Sequence, residues 1–466
     1  MSICEKGLEI KLKAEKITLE IKEDHALIKL SNAVCWESLS KIVLPDLKKT
    51  EKSCWYRGRK LKLRIHLGVY LLQKMFNFTD RQMEQCLKDN VAYRLFAGCS
   101  VVEKFHVPDH TKIEAFRSRL SEGTQQKLAN EIAVLGVRAN YCTPSVMDID
   151  STIQEANISY PNDTGLLVKL AGKVKSIYDT VSKVTPDLCK GMAIDMKLIK
   201  SQLRSIFFCA KSTSIEVKKQ LQRKLWLEVT KASKQMIGIC ERSDELLSHV
   251  KLKWNIRKKI EQVGVYGRVC LQEAAYFFRH GQACATKSIY AFHAQAVGCF
   301  NKKKLDKRLQ FGRAIQLGRL GGNFFIVKRC QTIREEDKQS VEPMLELHQS
   351  LFNENTLQSV ALDKGYYKKK NEALIKVRGI TSGLQKPRFK KKEPSLIDTE
   401  LVSEELVCRR AGIEPLIGHV KHGGQLGKSR MKSDKTTESA AYGAVLGFNL
   451  RQFMRYQAGE IAMKVA

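Results

Sequence analysis

The chain has 466 residues, 43% of them hydrophobic, and a formal net charge of +32 from 81 Lys and Arg against 49 Asp and Glu. That length exceeds one ordinary core, so two or three domains are expected, and the charge points to a polyanionic partner. The sequence has no apolar span of about 18 residues and no signal-peptide pattern, which argues against a membrane protein and for a soluble, cytoplasmic one. The 14 cysteines include no CxxC pair, which argues against a zinc ribbon and a disulfide framework.

Residues 1–34 alternate charged and apolar positions (Leu8, Ile10, Leu12, then Ile17, Leu19, Ile21), and residues 1–50 are read as an N-terminal arm. Helices are predicted over 36–47, 62–77, 79–89, 91–97 and 111–120. Leu63, Leu67, Tyr70, Leu71 and Met75 make one face of the second, and Thr79 or Asp80 caps the third. Residues 51–142 thus form a helical domain whose basic residues, Arg57, Arg59, Lys60 and Arg64 among them, serve DNA binding or dimerisation, or simply a solvated face. Near Tyr141 to Pro144 the pattern changes from helix to strand.

The stretch 163–283 does not read as sheet. Helices are predicted over 164–184, 214–247 and 273–280, a helical insertion at about 160–285. Within it, KLKWNIRKK at 251–259 sets Trp254 among basic residues, which suits a nucleic-acid contact, although a Trp on an amphipathic helix is more often a core residue. Strands return at 288–293 and 296–300, followed by a hairpin of 311–317 and 323–328 across Gly321-Gly322. Then come a helix over 336–351, a strand ending at Leu362, a helix over 367–375 and a short strand at 375–377. Beyond these lie a basic loop at 386–392, a helical stretch over 399–420, a Gly-rich mobile stretch at 422–435 and an amphipathic helix over 439–454.

Three carboxylates stand out. VMDIDST at 146–152 is an apolar strand ending in Asp150. VALDKGYYKK at 360–369 places Asp363 straight after another. CRRAGIEPLIGHVK at 408–421 carries Glu414 on a helix-like run, next to Pro415, which starts or kinks that helix. Three carboxylates on three elements are the donor set of a divalent-metal phosphoryl-transfer site, because hard Mg²⁺ takes oxygen ligands. Asp148 shares a face with Asp150, since the side-chain period of a strand is two.

The chain resembles bacterial insertion-sequence transposases with an Asp-Asp-Glu triad. Asp150-Ser151-Thr152 with Gln154-Glu155 and Tyr160-Pro161-Asn162-Asp163 is similar to the family's first motif, and Asp363-Lys364-Gly365-Tyr366 to its second. Arg410, Glu414 and Lys421 keep the spacing of a third motif, Tyr-x2-Arg-x3-Glu-x6-Lys, with Val407 at the Tyr position. The resemblance implies a ribonuclease-H-like α/β catalytic domain over 143–457, a mixed sheet with the order strand, insertion, hairpin, helix, strand, helix. It implies that Asp150, Asp363 and Glu414 are catalytic and bind two Mg²⁺ ions, with Mn²⁺ able to substitute. Asp150 would bridge the ions, Asp148 would be a neighbour or a partner for an Arg, and Arg410, Lys421 and Lys364 would contact phosphate. The implied partners are the terminal inverted repeats and target DNA on the bacterial chromosome, bound by a homodimer or higher oligomer. Two other readings stay open: a catalytically inactive basic DNA-binding relic, and a metal-dependent nuclease of the same fold.

Overall fold

The computed structural model describes residues 24–48, 62–99, 107–209, 214–242, 252–301, 309–329, 337–386, 404–432 and 434–461. It is a mixed α/β protein, with helices first, then a mixed sheet interrupted after its first strand by a second set of helices.

The leading helices are α1 (Ala26–Ala33), α2 (Trp36–Lys48), α3 (Leu63–Phe76), α4 (Asp80–Asp89), α5 (Val91–Ala97), α6 (His110–Arg119) and α7 (Glu122–Arg138). Their starts follow from side-chain caps. Thr79 and Gln82 form a reciprocal capping box, and Asn90, Asp109 and Ser121 each accept an amide of the following first turn. The N-terminal arm is therefore corrected within the described residues. Residues 26–48 are two helices that bury Leu27, Leu30, Leu39 and Val43 in the same core as α3. Residues 1–23 lie outside the described residues.

Glu84, on α4, accepts hydrogen bonds from the Lys88 ammonium and from the His110 side chain and amide, and these hold its carboxyl down at about 2, against an ordinary 4.5. A depressed carboxyl stabilises the fold above its unfolded-state pKa, and that stability disappears as pH falls through the folded value. Glu84→Gln is accordingly expected to flatten the loss of stability between pH 4.5 and 2, read from urea midpoints at stepped pH. Parallel curves for variant and wild type would refute it.

Five positions across define the sheet. β1 (Thr143–Glu155) lies in the middle, with β3 (Leu309–Gly321) antiparallel on one side and β5 (Ser359–Leu362) parallel on the other. β6 (Thr381–Ser382) extends the β5 side in parallel. The outer edge of β3 is shared by β2 (Gly298–Asn301) and β4 (Phe325–Arg329), both antiparallel to it. Met147 points to the face that also holds Met344 of α12 (Val341–Phe352), the two meeting at Gly318. The opposite face lies under α14 (Glu404–Ala411) and α15 (Ile413–His422), with Arg409 of α14 bonded to Asp148.

Edge strand β4 is closed by amide side chains. Asn449 accepts from the Phe325 N–H (2.9 Å) and donates to its C=O (2.8 Å), while Asn130 does the same at Val327 (2.9 and 3.3 Å). The unpaired backbone groups of an edge are thus satisfied from α7 and from α16 (Asp434–Gln457). The last helix is predicted amphipathic, but α16 is buried on every side from 437 to 450, because α3 and α7 cover what the sheet does not. A Cβ on Gly447 would fall 2.1 Å from the Lys74 carbonyl oxygen, so glycine is what lets α3 approach. The change from helix to strand near 142 is therefore not a break in packing: Leu27, Leu72, Ile149, Phe325 and Val445 belong to one continuous core.

The insertion consists of α8 (Asp163–Val184), α9 (Met196–Phe207), α10 (Ile215–Glu241) and α11 (Trp254–His280), with a core of its own around Leu170, Val229, Met236 and Val263. Three expectations are corrected here. Residues 288–293 are not a strand, since the amides of Ser288 and Ile289 donate to the Glu273 carboxylate instead of to a neighbouring strand. Residues 375–377 end helix α13 (Lys369–Val377), and the strand comes later, at β6. In the Gly-rich stretch 422–435, residues 425–430 are anchored: the Glu155 N–H donates to Gly427 (2.9 Å), the Ser429 N–H to Glu155 (2.9 Å) and the Gln154 side chain to Gln425 (2.8 Å). The basic loop 386–392 lies outside the described residues apart from Lys386.

Candidate active site

Register brings the first two carboxylates together. Ile149 pairs with Leu362 where β1 and β5 run in parallel, so Asp150 and Asp363 stand one residue further along at matching places on adjacent chain segments. Neighbouring strands lie about 4.7–4.9 Å apart. Asp363 also caps the turn Lys364–Tyr366, its Oδ1 accepting the Lys364 N–H at 2.7 Å. That turn is fixed from below, where the buried Tyr366 hydroxyl bonds Gln316 of β3 (3.1 Å) and the Asn371 side chain donates to the Tyr366 carbonyl (2.9 Å).

Glu414 arrives on α15. Helix α14 stops at Ala411 and α15 begins at Ile413, so Pro415 occupies the first turn, where its missing N–H costs no hydrogen bond. The break falls at Gly412, where a Cβ would sit 2.8 Å from an Arg319 guanidinium nitrogen. Arg410, at the end of α14, reaches both acids: Nη1 is 3.4 Å from Asp363 Oδ1 and Nη2 is 3.5 Å from Glu414 Oε1. One guanidinium thus ties Asp363 to Glu414, while register sets Asp150 beside Asp363. Among the described residues no three His, Cys, Asp or Glu side chains converge closely enough to hold an ion. The three acids therefore do not close on a single point as the chain stands, contrary to the tight convergence that a shared metal site implies. Their donor chemistry nevertheless fits a hard divalent cation, being oxygen throughout, and Arg410 shows that a positive charge is already accommodated between two of them.

Asp148, on the same face, belongs to the interior. Its side chain is 3% exposed and takes both Arg319 of β3 and Arg409 of α14, each within hydrogen-bonding distance. Arg319 also donates to the Arg409 carbonyl (2.6 Å) and Arg409 reaches Ser359 (3.2 Å). Arg319 and Arg409 are thus the positioning residues that sequence reasoning missed: they seat the helix that presents Arg410. The signal was legible in part, because Arg409 is adjacent to Arg410 and must point about 100° away from it round a helix.

The remaining candidates are distributed unevenly. Lys364 is exposed beside Asp363, and Lys421 is half-buried next to the anchored strip at Gly427. Glu405 is exposed. Arg64, expected as a DNA contact, is corrected to a structural strut. Its guanidinium lies 3.2 Å from the Trp36 ring centroid and donates to Phe96 (2.7 Å) and Ser31 (3.1 Å), and burial pulls its pKa down to about 10. Arg57, Arg59 and Lys60 lie outside the described residues. Trp254 is 75% exposed, so the core alternative for it does not hold. Among the described residues no helix is long and apolar enough to cross a membrane.

Residues 16–119 match the family model described as "Transposase domain (DUF772)". No curated protein and no solved structure matches the chain.

Proposed function

We propose that the chain, whose residues 16–119 match a transposase-domain model, is an insertion-sequence transposase that cuts DNA at the ends of a mobile element and joins the freed 3′ ends to target DNA. The observation that carries this reading is the placement of Asp150 and Asp363 each one residue beyond the Ile149–Leu362 pair, with Glu414 tied to the second through Arg410. The sheet supports a ribonuclease-H-like catalytic fold: a long central strand, an antiparallel hairpin on one side, parallel strands on the other, and the insertion straight after the first strand.

Asp150, Asp363 and Glu414 would hold Mg²⁺, as two ions, or Mn²⁺ in its place. Such ions, when bound, activate the attacking oxygen and stabilise the leaving one. The chain's own cations do the positioning. Arg410 presents a planar fork that can exchange its carboxylate partners for a phosphate, a geometry an ammonium does not reproduce. Lys364 stands next to Asp363 as a point charge, Lys421 would offer a second one two turns along α15 from Glu414, and the overall positive field draws DNA in.

The test is a purified-protein reaction with Mg²⁺ on DNA carrying both element ends, with products mapped to the nucleotide. Cuts at the ends and joined products are expected. Cuts without joined products would leave a nuclease, and tight binding without cuts would leave an inactive DNA-binding protein. Binding itself is expected to weaken steeply with salt, with a log–log slope of about −0.9 per phosphate contacted. A slope near zero would contradict an electrostatic DNA interface.

A further inference from the structure

The insertion has a base and a tip. At the base, Lys287 forms a buried pair with Asp163, the first residue of α8, and Glu273 holds the Ser288 amide at 2.6 Å. Helix α11 runs antiparallel to α8 and α10: Lys173 meets Gln262, Ser176 meets Lys259, and Trp226 meets Leu271. Trp254 therefore lies in the turn farthest from the base. The 27 residues of α11 span about 40 Å at 1.5 Å per residue.

At this tip the sequence departs from the logic of a core. Ile256 and Ile260 of the same helix are buried, but the Trp254 ring faces water at 75% exposure, with the Lys258 Nζ 5.2 Å from its centroid. Lys253, Arg257 and Lys258 are exposed around it. Crowded exposed cations suit the phosphates of a duplex backbone, and the exposed Trp254 ring adds an apolar surface beside them. A second copy of a chain carrying +32 is a poor occupant on charge alone.

We propose that the insertion is an arm whose tip, formed by Trp254, Lys253, Arg257 and Lys258, is a second duplex-DNA contact, at the end of the insertion farthest from its base. This rests on the transposase reading and adds a remote anchor to it. The geometric reason is reach: the helix sets the tip about 40 Å from the insertion's own base, more than one duplex turn of about 34–36 Å. The tip then contributes to affinity only when the DNA is long enough to meet it.

The experiment uses the full chain and two fluorescent duplexes from the same element end, one of about 10 base pairs and one of about 30, a choice set by the length of one duplex turn. Binding is read by anisotropy for the wild type and for Trp254→Ala with Lys258→Ala. The wild type is expected to gain at least about tenfold on the longer duplex, and the variant to lose most of that gain while binding the shorter duplex unchanged. Both substituted side chains are exposed, and an unaltered melting curve for the variant verifies the fold. A variant that keeps the wild-type gain overturns the proposal. So does a wild type whose two affinities are equal, which leaves the transposase reading standing. Binding of neither duplex overturns both. Competition by anionic phosphatidylserine vesicles that depends on Trp254, with no length effect on DNA, assigns the tip to a membrane surface and also overturns it.

Discussion

Asp363→Asn is expected to abolish Mg²⁺-dependent cleavage of terminal DNA, a loss of at least about 10³-fold, because the charge stabilisation supplied at such a site amounts to several kcal/mol. DNA affinity is expected to stay within about twofold of wild type, since most phosphate contacts are made elsewhere. Asparagine keeps the shape of the side chain and the oxygen that accepts the Lys364 N–H at 2.7 Å, so the turn after β5 should survive. Arg410 loses one of its two carboxylate partners and keeps Glu414. What is removed is the negative charge that a hard cation requires. Asp150→Asn should behave in the same way. The measurement is single-turnover cleavage beside an equilibrium binding curve on the same DNA. A wild-type rate from the Asp363→Asn protein would remove Asp363 from the site.

Asp148→Ala should fail for a different reason. The carboxylate sits between two guanidiniums, with Arg319 10% and Arg409 25% exposed at the side chain. Removing the shared anion leaves two neighbouring cations with little water to solvate them, and breaking a buried pair in this way costs about 3–5 kcal/mol. Because Arg409 anchors α14, the loss also unseats Arg410 and, one turn later, Glu414. The expected result is a lower urea midpoint and melting temperature, with weakened DNA cleavage following from misplacement of α14. A stability change below about 1 kcal/mol, as for an exposed pair, would show that the pair does not hold the helix. Asp148 and Asp150 are two residues apart, and the comparison separates a structural carboxylate from the one proposed to be catalytic on a single strand face.

Much of the helical architecture was legible because it is encoded locally. Thr79 with Gln82 marks a helix start whatever lies around it, and the apolar spacing of Leu63, Leu67, Tyr70 and Leu71 marks a buried face. The hairpin across Gly322 and the strand-end position of Asp363 were readable for the same reason, since a strand's alternation and a turn's glycine need no distant partner; the end expected at Asp150 is corrected, because pairing with β3 carries β1 on to Glu155. Residues 288–293 misled because their apolar run has the length of a strand, yet their amides are taken by a single carboxylate fifteen residues upstream. The last helix misled because its pattern shows only that it can be buried, not that two layers bury it.

The sequence by itself determined the capped starts of several leading helices, the presence of a helical insertion after the first strand and the chemical types of the candidate site residues, all set by interactions within a few residues along the chain. Tertiary structure alone decided which of two carboxylates on one strand face is committed to the interior. Asp148 is met by Arg319 from 171 residues away and Arg409 from 261 residues away, while Asp150, two residues along, is left beside Asp363. It decided likewise that Arg64 stacks on Trp36 and that Trp254 stands in water, although both aromatics begin a helix. The physical reason is shared: a buried charge or ring is defined by the groups that surround it, and those groups come from segments whose separation no local periodicity records.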